Sequence, residues 1–172
     1  MIDRMETKRL ILRKARKDDL EMIWRNVWND ERIARTMLWE PVKSREQAIE
    51  RMNKTLTIHE SSYAYFVCLK ETDEPIGFAG IKPTSPGEFE ETGICIANDY
   101  QNQGYGKEVL QALIDLAFLN LDGHSFLYGC FHDNAASAAL CKSCGFVYSH
   151  SEKDVRKWDQ YEYLCDLYRL NR

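Results

Sequence analysis

A buried strand that leads through a glycine-containing loop into a long amphipathic helix stands near the middle of this sequence. The strand ends at Ile96, polar residues follow, and Gly104 and Gly106 bracket the first turn of the helix. Helix N-termini have free N–H groups and a partial positive charge, and glycines let those groups close around a phosphate. The segment therefore predicts either a phosphate site or an ordinary tight connection between strand and helix.

Two familiar phosphate loops do not fit this segment. The P-loop pattern requires a glycine where Gln101 stands and a hydroxyl side chain where Glu108 stands. The dinucleotide-binding pattern requires a third glycine where Val109 stands. The remaining pattern, Gln101-x-x-Gly104-x-Gly106, offers donors and no metal-binding hydroxyl, which suits a diphosphate held without a metal, such as that of coenzyme A.

The rest of the chain predicts alternating strands and helices. The apolar spacing predicts strands at 7–14, 64–70, 76–81, 88–96, 125–131, 146–150 and 161–170, and helices at 18–28, 44–59, 104–121 and 134–144. We expect Asp18 or Asp19 to cap the first helix, and Ser44 with Gln47 to form a capping box on the second. Polar turns join several strands into hairpins, so the class is α/β (α+β) with a mixed sheet. Without repeats or a long linker, residues 1–172 should form one domain.

Charge and cysteine usage narrow the classes of protein further. The net charge of −4 argues against a nucleic-acid partner, which requires a concentrated positive field. No apolar run approaches the roughly 20 residues that cross a bilayer, so we expect no membrane association. Single cysteines in apolar strands predict free thiols and a cytoplasmic location. Cys141-x-x-Cys144 has no second ligand pair elsewhere, so helical packing is favoured over a metal or redox site.

The glycine loop and its surroundings resemble the GNAT N-acetyltransferases. Gln101-x-x-Gly104-x-Gly106 is similar to the pyrophosphate signature of that family. The segments 7–13, 37–41, 75–80 and 134–146 resemble the branch that contains the ribosomal-protein N-terminal acetyltransferases. The resemblance implies a GNAT fold, with a mostly antiparallel central sheet splayed between its fourth and fifth strands and flanked by helices. It also implies direct transfer of an acetyl group from acetyl-CoA to a primary amine in a ternary complex.

The resemblance further implies where acetyl-CoA would bind. Residues 94–96 would offer backbone to the pantetheine and polarise the thioester carbonyl, and the glycine loop would hold the pyrophosphate. Asn134 would contact pantetheine, although its position also suits a plain helix cap. We therefore expect no metal and the following cofactor-binding residues: Ile94, Cys95, Ile96, Gln101, Asn102, Gln103, Gly104, Tyr105, Gly106, Lys107 and Asn134.

Glu91 is the candidate general base. A carboxylate can take a proton from an ammonium group if burial raises its pKa. Glu91 stands two residues before Gly93, which matches a Glu-x-Gly pattern common in the resembling branch. Glu88 and Glu90 lie nearby, so a solvated acidic strand is the alternative interpretation.

The general acid has two candidates on one helix. Many GNAT members have a tyrosine seven residues after the position of Asn134, and Cys141 stands there in this chain. The ribosomal-protein branch has a serine three residues after that asparagine, and Ser137 matches it. Tyr163 and Tyr168 are further donors that the sequence does not place, and His132 is more often structural in such a position.

The sequence does not identify the substrate that accepts the acetyl group. Trp24, Trp28, Trp39 and Trp158 could line a groove for an amine or a peptide, with a core position favoured for Trp24. The acceptor could be a protein N-terminus, a polyamine or a small-molecule amine, and a homodimer is possible. The alternative function is a non-catalytic acetyl-CoA-binding or regulatory module of the same fold. Glu91 and Ser137 favour the enzyme.

Overall fold

The computed structural model describes residues 2–172 and contains one eight-stranded sheet. The strands are β1 (Arg4–Glu6), β2 (Leu10–Arg13), β3 (Tyr63–Leu69), β4 (Pro75–Ser85), β5 (Glu88–Ile96), β6 (Ser125–Phe131), β7 (Val147–Arg156) and β8 (Tyr161–Asn171). Their order across the sheet is β1-β2-β3-β4-β5-β6-β8-β7. Only β5 and β6 run parallel, and all other neighbours are antiparallel. The predicted mixed, mostly antiparallel sheet is confirmed, with one additional short strand, β1.

Five α-helices accompany the sheet in the described part of the chain. They are α1 (Leu20–Ile23), α2 (Glu31–Ala34), α3 (Arg45–Ser61), α4 (Tyr105–Asp115) and α5 (Ala135–Ser143). A 3-10 turn (Lys17–Asp19) and a π turn (Trp24–Trp28) flank α1, and a π turn (Leu116–Asn120) continues α4. The capping box of Ser44 and Gln47 on α3 is confirmed. Asp19 occupies the cap position of α1, as predicted, but its carboxylate accepts from the Arg16 N–H and from Arg13 instead of bonding an N–H group of α1.

Alternate residues of the central strands face two separate cores. Leu10 and Leu12 of β2 pack with Val109 and Leu113 of α4 on one face of the sheet. Ile11, between them, packs on the other face with residues of α1 and α3. Because side chains alternate along a strand, each apolar strand is covered on both faces, which explains the near-continuous apolar runs in the sequence. No helix within residues 2–172 is both long and apolar enough to cross a membrane.

The sheet opens between β5 and β6. These strands pair at only three positions, the last of which joins Glu90 to Leu127. Immediately beyond, β5 takes three steps from Glu91 to Ile94 while β4 takes two, which is a β-bulge. Gly93 lies inside the bulge at φ +121°, a conformation that side chains rarely adopt. The bulge turns β5 away from β6, and we call the point where they separate the fork.

Candidate active site

A cleft with a volume of about 400 Å³ lies beyond the fork. The end of β5, the glycine loop with the start of α4, and the start of α5 form its walls, and the segment 32–37 faces them. Nearly all predicted cofactor residues line it: Ile94, Cys95, Ile96, Gln101, Asn102, Gly104, Tyr105, Gly106, Lys107 and Asn134. Gln103 does not, because its amide donates to the Asp99 carbonyl and its own carbonyl accepts from Arg9.

A larger groove of about 630 Å³ runs between β1 and the outer side of α4. The carboxylates of Glu6, Glu108 and Asp115 line it. Arg9 and Lys70 pair with Glu108 and Glu6, and Lys107 also lines the groove, but its lining remains acidic on balance and suits a diphosphate poorly. Volume alone therefore does not identify the cofactor site. The cleft beyond the fork has the more suitable chemistry.

Six consecutive backbone N–H groups, those of residues 102–107, donate to no acceptor within residues 2–172. We call them the N–H cradle. Gly104 occupies the cap position of α4 at φ +82° and offers no side chain to satisfy them. Free donors at a helix N-terminus attract anions through their hydrogen bonds and through the helix dipole. The cradle therefore fits a diphosphate.

Two side chains hold the cradle in place. The Gln101 amide donates to the Ile96 carbonyl at 2.8 Å, so this side chain closes the loop rather than reaching into the cleft. Arg9 donates from Nη1 to the Gln103 carbonyl at 2.9 Å and from Nε to Glu108 at 2.8 Å. The Arg9 guanidinium also lies 4.3 Å from the centre of the Tyr105 ring. Arg9 cannot be recognised from the sequence, where it resembles an exposed residue of the opening strand.

Glu91 is half-buried at the fork, beside Tyr128 and Gly129 of β6. Burial raises the pKa of its carboxyl to about 7, even though the N–H groups of Gly93 and Gly129 favour the charged form. The two neighbouring acids have polar partners at the surface. Glu90 forms an ion pair with Lys82 at 3.2 Å, and Glu88 accepts a hydrogen bond from the Ser85 hydroxyl. The solvated acidic strand therefore describes the neighbours of Glu91 better than Glu91 itself.

Ser137 lies in the cleft wall on the first turn of α5, and its hydroxyl is 2.7 Å from the Tyr128 hydroxyl. Burial and the nearby Glu91 raise the pKa of Tyr128 well above its usual range, so this phenol stays protonated. Asn134 caps α5 by accepting from the Ser137 N–H at 3.2 Å. The amide nitrogen of Asn134 has no acceptor within residues 2–172, so it can donate to a ligand.

Tyr128 was missed by the sequence analysis. An aromatic residue in an apolar strand usually fills the core, and Tyr128 is indeed only 3% exposed. Its hydroxyl, however, lies at the lining of the cleft. The only indication of this role in the sequence is the position of Tyr128 in the strand that follows the long helix.

The other proton-donor candidates lie outside the cleft lining. Cys141 is fully buried in the core, where its thiol donates to the Ala138 carbonyl and burial raises its pKa to about 11. Tyr163 donates to Asp154, and Tyr168 is buried. His132 bonds the Asp166 carboxylate at 2.9 Å. None of the four lines the cleft.

The four tryptophans occupy different environments. Trp24 packs against the core on the α1 and α3 face and donates to the Val42 carbonyl, and Trp28 is 1% exposed. Trp158 is exposed in the β7–β8 turn. Trp39 is half-buried in the loop after α2, and its Nε1 is buried without a partner.

Arg156 fixes the loop that faces the cradle. Its Nη1 donates to the carbonyls of Ala34, Arg35 and Met37 at 3.2, 3.1 and 3.2 Å. Its Nε and Nη2 donate to Asp159 at 2.9 and 2.6 Å. The loop contributes Thr36 and Met37 to the cleft lining. A C-terminal hairpin thus holds an N-terminal loop against the site.

Residues 9–147 match the family model of the acetyltransferase (GNAT) domain. The chain belongs to the GNAT acetyltransferase family. This GNAT protein is an acetyl-CoA-dependent acyltransferase, and the family predicted from the glycine loop is confirmed. It is 25% identical to the N-acetyltransferase p20 of Bacillus licheniformis, over 91% of this chain and 89% of that protein.

One further relative and one solved structure are similar to this chain. The spermidine N(1)-acetyltransferase of Vibrio cholerae is 27% identical over 80% of this chain and 79% of that protein. RimL, a ribosomal L7/L12 alpha-N-protein acetyltransferase solved in complex with coenzyme A, superposes with a TM-score of 0.81 at 20% identity, covering 98% of both chains. The latter likeness shows a shared fold.

The GNAT family implies acetyl-CoA as cosubstrate, and the residues present fit it. The N–H cradle suits the diphosphate, and the stretch of β5 beyond the fork is unpaired on its β6 side. No group of His, Cys, Asp and Glu within residues 2–172 could hold a metal ion.

Proposed function

We propose that this GNAT protein acetylates a primary amine by direct transfer from acetyl-CoA in a ternary complex. The observation that carries the proposal is the position of the Glu91 carboxyl, half-buried at the fork from which the cleft opens and bonded by the Gly93 N–H, where burial raises its pKa to about 7. A general base poised near neutral pH is what amine deprotonation requires. A non-catalytic acetyl-CoA-binding module would have no use for it.

The binding groups follow from the cleft. The N–H cradle holds the diphosphate, and the unpaired backbone at 94–96 together with the Asn134 amide binds the pantetheine. Acetyl-CoA supplies an activated acetyl thioester. A β5 N–H polarises its carbonyl as the charge on the oxygen develops.

Glu91 takes one proton from the ammonium group of the acceptor, directly or through water. A nitrogen–carbon bond then forms as the carbon–sulfur bond breaks. Ser137 donates a proton to the departing thiolate and regains one from Tyr128, 2.7 Å away, and Tyr128 is reprotonated from solvent. The second proton that the amine loses balances the one that the thiolate gains.

The named relatives act on a polyamine and on a protein N-terminus, so the substrate class supported is a primary amine. All six cysteines are free thiols, which supports a cytoplasmic location.

Release of free thiol from acetyl-CoA over a panel of primary amines tests the proposal. We expect turnover with at least one amine, reduced by about 10²–10⁴ in Glu91→Gln, with unchanged acetyl-CoA affinity. A chain that binds acetyl-CoA but releases thiol with no amine would be the non-catalytic module instead.

A further inference from the structure

Arg51, on α3, is a half-buried cation without an anionic partner. Its guanidinium lies 4.3 Å from the centre of the Trp39 ring and 4.8 Å from that of Trp28. No hydrogen bond or ion pair within residues 2–172 engages it. Burial lowers the pKa of Arg51 to about 10, and no carboxylate acts against that effect. The buried guanidiniums of Arg13 and Arg156, by contrast, both bond carboxylates.

A second donor without an acceptor lies beside it. The Nε1 of Trp39 is the only buried side-chain nitrogen or oxygen within residues 2–172 that has no hydrogen-bond partner. Arg51 stacks over this same indole. Leaving a buried donor unsatisfied destabilises the folded state, so such atoms call for an explanation. The indole N–H and the guanidinium are neighbouring donors, and a negatively charged acceptor would satisfy both.

The two donors adjoin the cleft. The charge of Arg51 acts on the buried thiol of Cys95, and Cys95 belongs to the cleft lining. Trp39 packs in the same apolar cluster as Met37, which also lines the cleft. Arg51 and Trp39 both keep part of their surface exposed. The pair therefore lies beside the part of the cleft wall that β5 and the loop after α2 form.

We propose that Arg51 and Trp39 form a binding site for a carboxylate of the acceptor, so that the substrate is an amine that also carries an acid. This inference rests on the proposed transfer to an amine. The planar guanidinium presents paired donors that match a carboxylate, and the indole N–H adds a third. A polyamine would place further positive charge beside Arg51 and gain nothing from either donor. The amino acid or acidic peptide is therefore favoured over the polyamine.

Matched acceptor pairs test the site. L-lysine with cadaverine, and L-phenylalanine with phenethylamine, differ only in the carboxylate. We expect kcat/KM to be at least about tenfold higher for the acid-bearing member, since bidentate charge-assisted hydrogen bonds are strong. Arg51→Met should reduce this ratio to about one, without changing the rate with cadaverine or phenethylamine or the affinity for acetyl-CoA. Trp39→Phe, which keeps the ring and removes the donor, should reduce the ratio severalfold.

Two further arms separate the alternatives. Arg45→Met removes an exposed cation from the same helix and should leave the ratio unchanged. Phosphoethanolamine with ethanolamine tests a phosphate in place of the carboxylate, and a larger effect of Arg51→Met on that pair would overturn the carboxylate assignment. The inference also fails if the wild type prefers cadaverine, or if Arg51→Met slows all acceptors equally, as a purely structural arginine would.

Binding separates failure of this inference from failure of the proposed function. N-acetyl-L-phenylalanine carries the carboxylate but has no free amine, so its binding needs no turnover. We expect it to raise the melting temperature of the coenzyme A complex for the wild type and not for Arg51→Met. If thiol is never released and this shift is present, only the proposed function fails. An equal shift, or no shift, in both proteins would overturn the carboxylate site.

Discussion

The backbone N–H of Gly93 donates to the carboxylate of Glu91, two residues earlier in the same strand. The contact exists because the β-bulge places Gly93 at φ +121°, which turns its N–H out of the regular ladder. The bulge that separates β5 from β6 thus also holds the carboxylate at the fork. The Glu-x-Gly pattern in the sequence corresponds to this carboxylate held by the N–H group of a bulged glycine.

Removing the Glu91 carboxylate should remove the acidic limb of the pH–rate profile. Because burial raises the pKa of Glu91 to about 7, the fraction of ionised base grows as the pH rises through that value. We expect kcat/KM of the wild type to rise with it and to level off above. Glu91→Gln should be slower by about 10²–10⁴ and lack this limb. Wild-type rates in Glu91→Gln near pH 6 would exclude Glu91 as the base.

The same pKa predicts a pH dependence of stability. The carboxyl binds its proton more tightly when folded, with a pKa of about 7 against 4.5 for the free group. The folded state therefore holds more protons between these values, and stability falls as the pH rises through them. We expect the melting temperature of the wild type to fall relative to Glu91→Gln between about pH 5 and 7. Parallel curves for the two proteins would show that the pKa is not raised.

Obstruction of the N–H cradle should weaken acetyl-CoA binding. Gly104 has φ +82°, so any side chain there strains the loop that carries the donors. A Cβ on Gly106 would meet Leu140 only at ordinary contact distance, 3.4 Å, so a side chain there can be housed without disrupting the core. We expect Gly104→Val and Gly106→Val to lower affinity at least about tenfold by calorimetry.

Gln111→Val, on the exposed side of the same helix and outside the cleft, is the matched control. Its affinity for acetyl-CoA should equal that of the wild type. Unchanged affinity in both glycine variants would contradict the phosphate role of the cradle.

The leaving-group proton should depend on the Ser137–Tyr128 pair rather than on Cys141. Ser137→Ala should lower kcat by up to about 10²-fold, since the thiol of coenzyme A is already a good leaving group. Tyr128→Phe should produce a smaller loss of the same kind. Cys141→Ala should lower stability and spare kcat, because its thiol is fully buried. Inactivation by thiol alkylation with protection by acetyl-CoA would reverse this ranking.

Arg156 should act through the loop that faces the N–H cradle across the cleft. Arg156→Met frees the three carbonyls of the loop that carries Thr36 and Met37. We expect a severalfold increase in KM for the amine and little change in acetyl-CoA affinity, together with a lower melting temperature. Equal loss of affinity for both substrates would indicate a general loss of structure.

The sequence predicts the cradle well because local rules govern it. Two glycines, a polar loop and an apolar helical stripe act within about one turn of each other, and the capping box of Ser44 is equally local. The short helix α2 escapes prediction because its four residues are too few to show a period. Its geometry depends on Arg156, more than a hundred residues away in the chain.

The parts of the site that depend on tertiary contacts are the ones that the sequence hides. Tyr128 has the same pattern as a core aromatic, and only its contact with Ser137 distinguishes it. Arg51 resembles any surface arginine of an amphipathic helix until Trp28 and Trp39 enclose it. Glu91 could be recognised from its spacing to Gly93, but the raised pKa depends on how deeply the fork encloses it.

Three residue pairs between β5 and β6 are the only backbone ladder within residues 2–172 that connects a five-stranded unit to a three-stranded one. The two units share one apolar core, and we expect the short ladder to let each open with its own free energy of local unfolding. We expect the amides of β6 and β8 to exchange with solvent as a group, before those of β3 and β4. A cosubstrate that contacts both units couples their opening. Its binding should therefore slow hydrogen exchange even at amides far from any atom that it contacts.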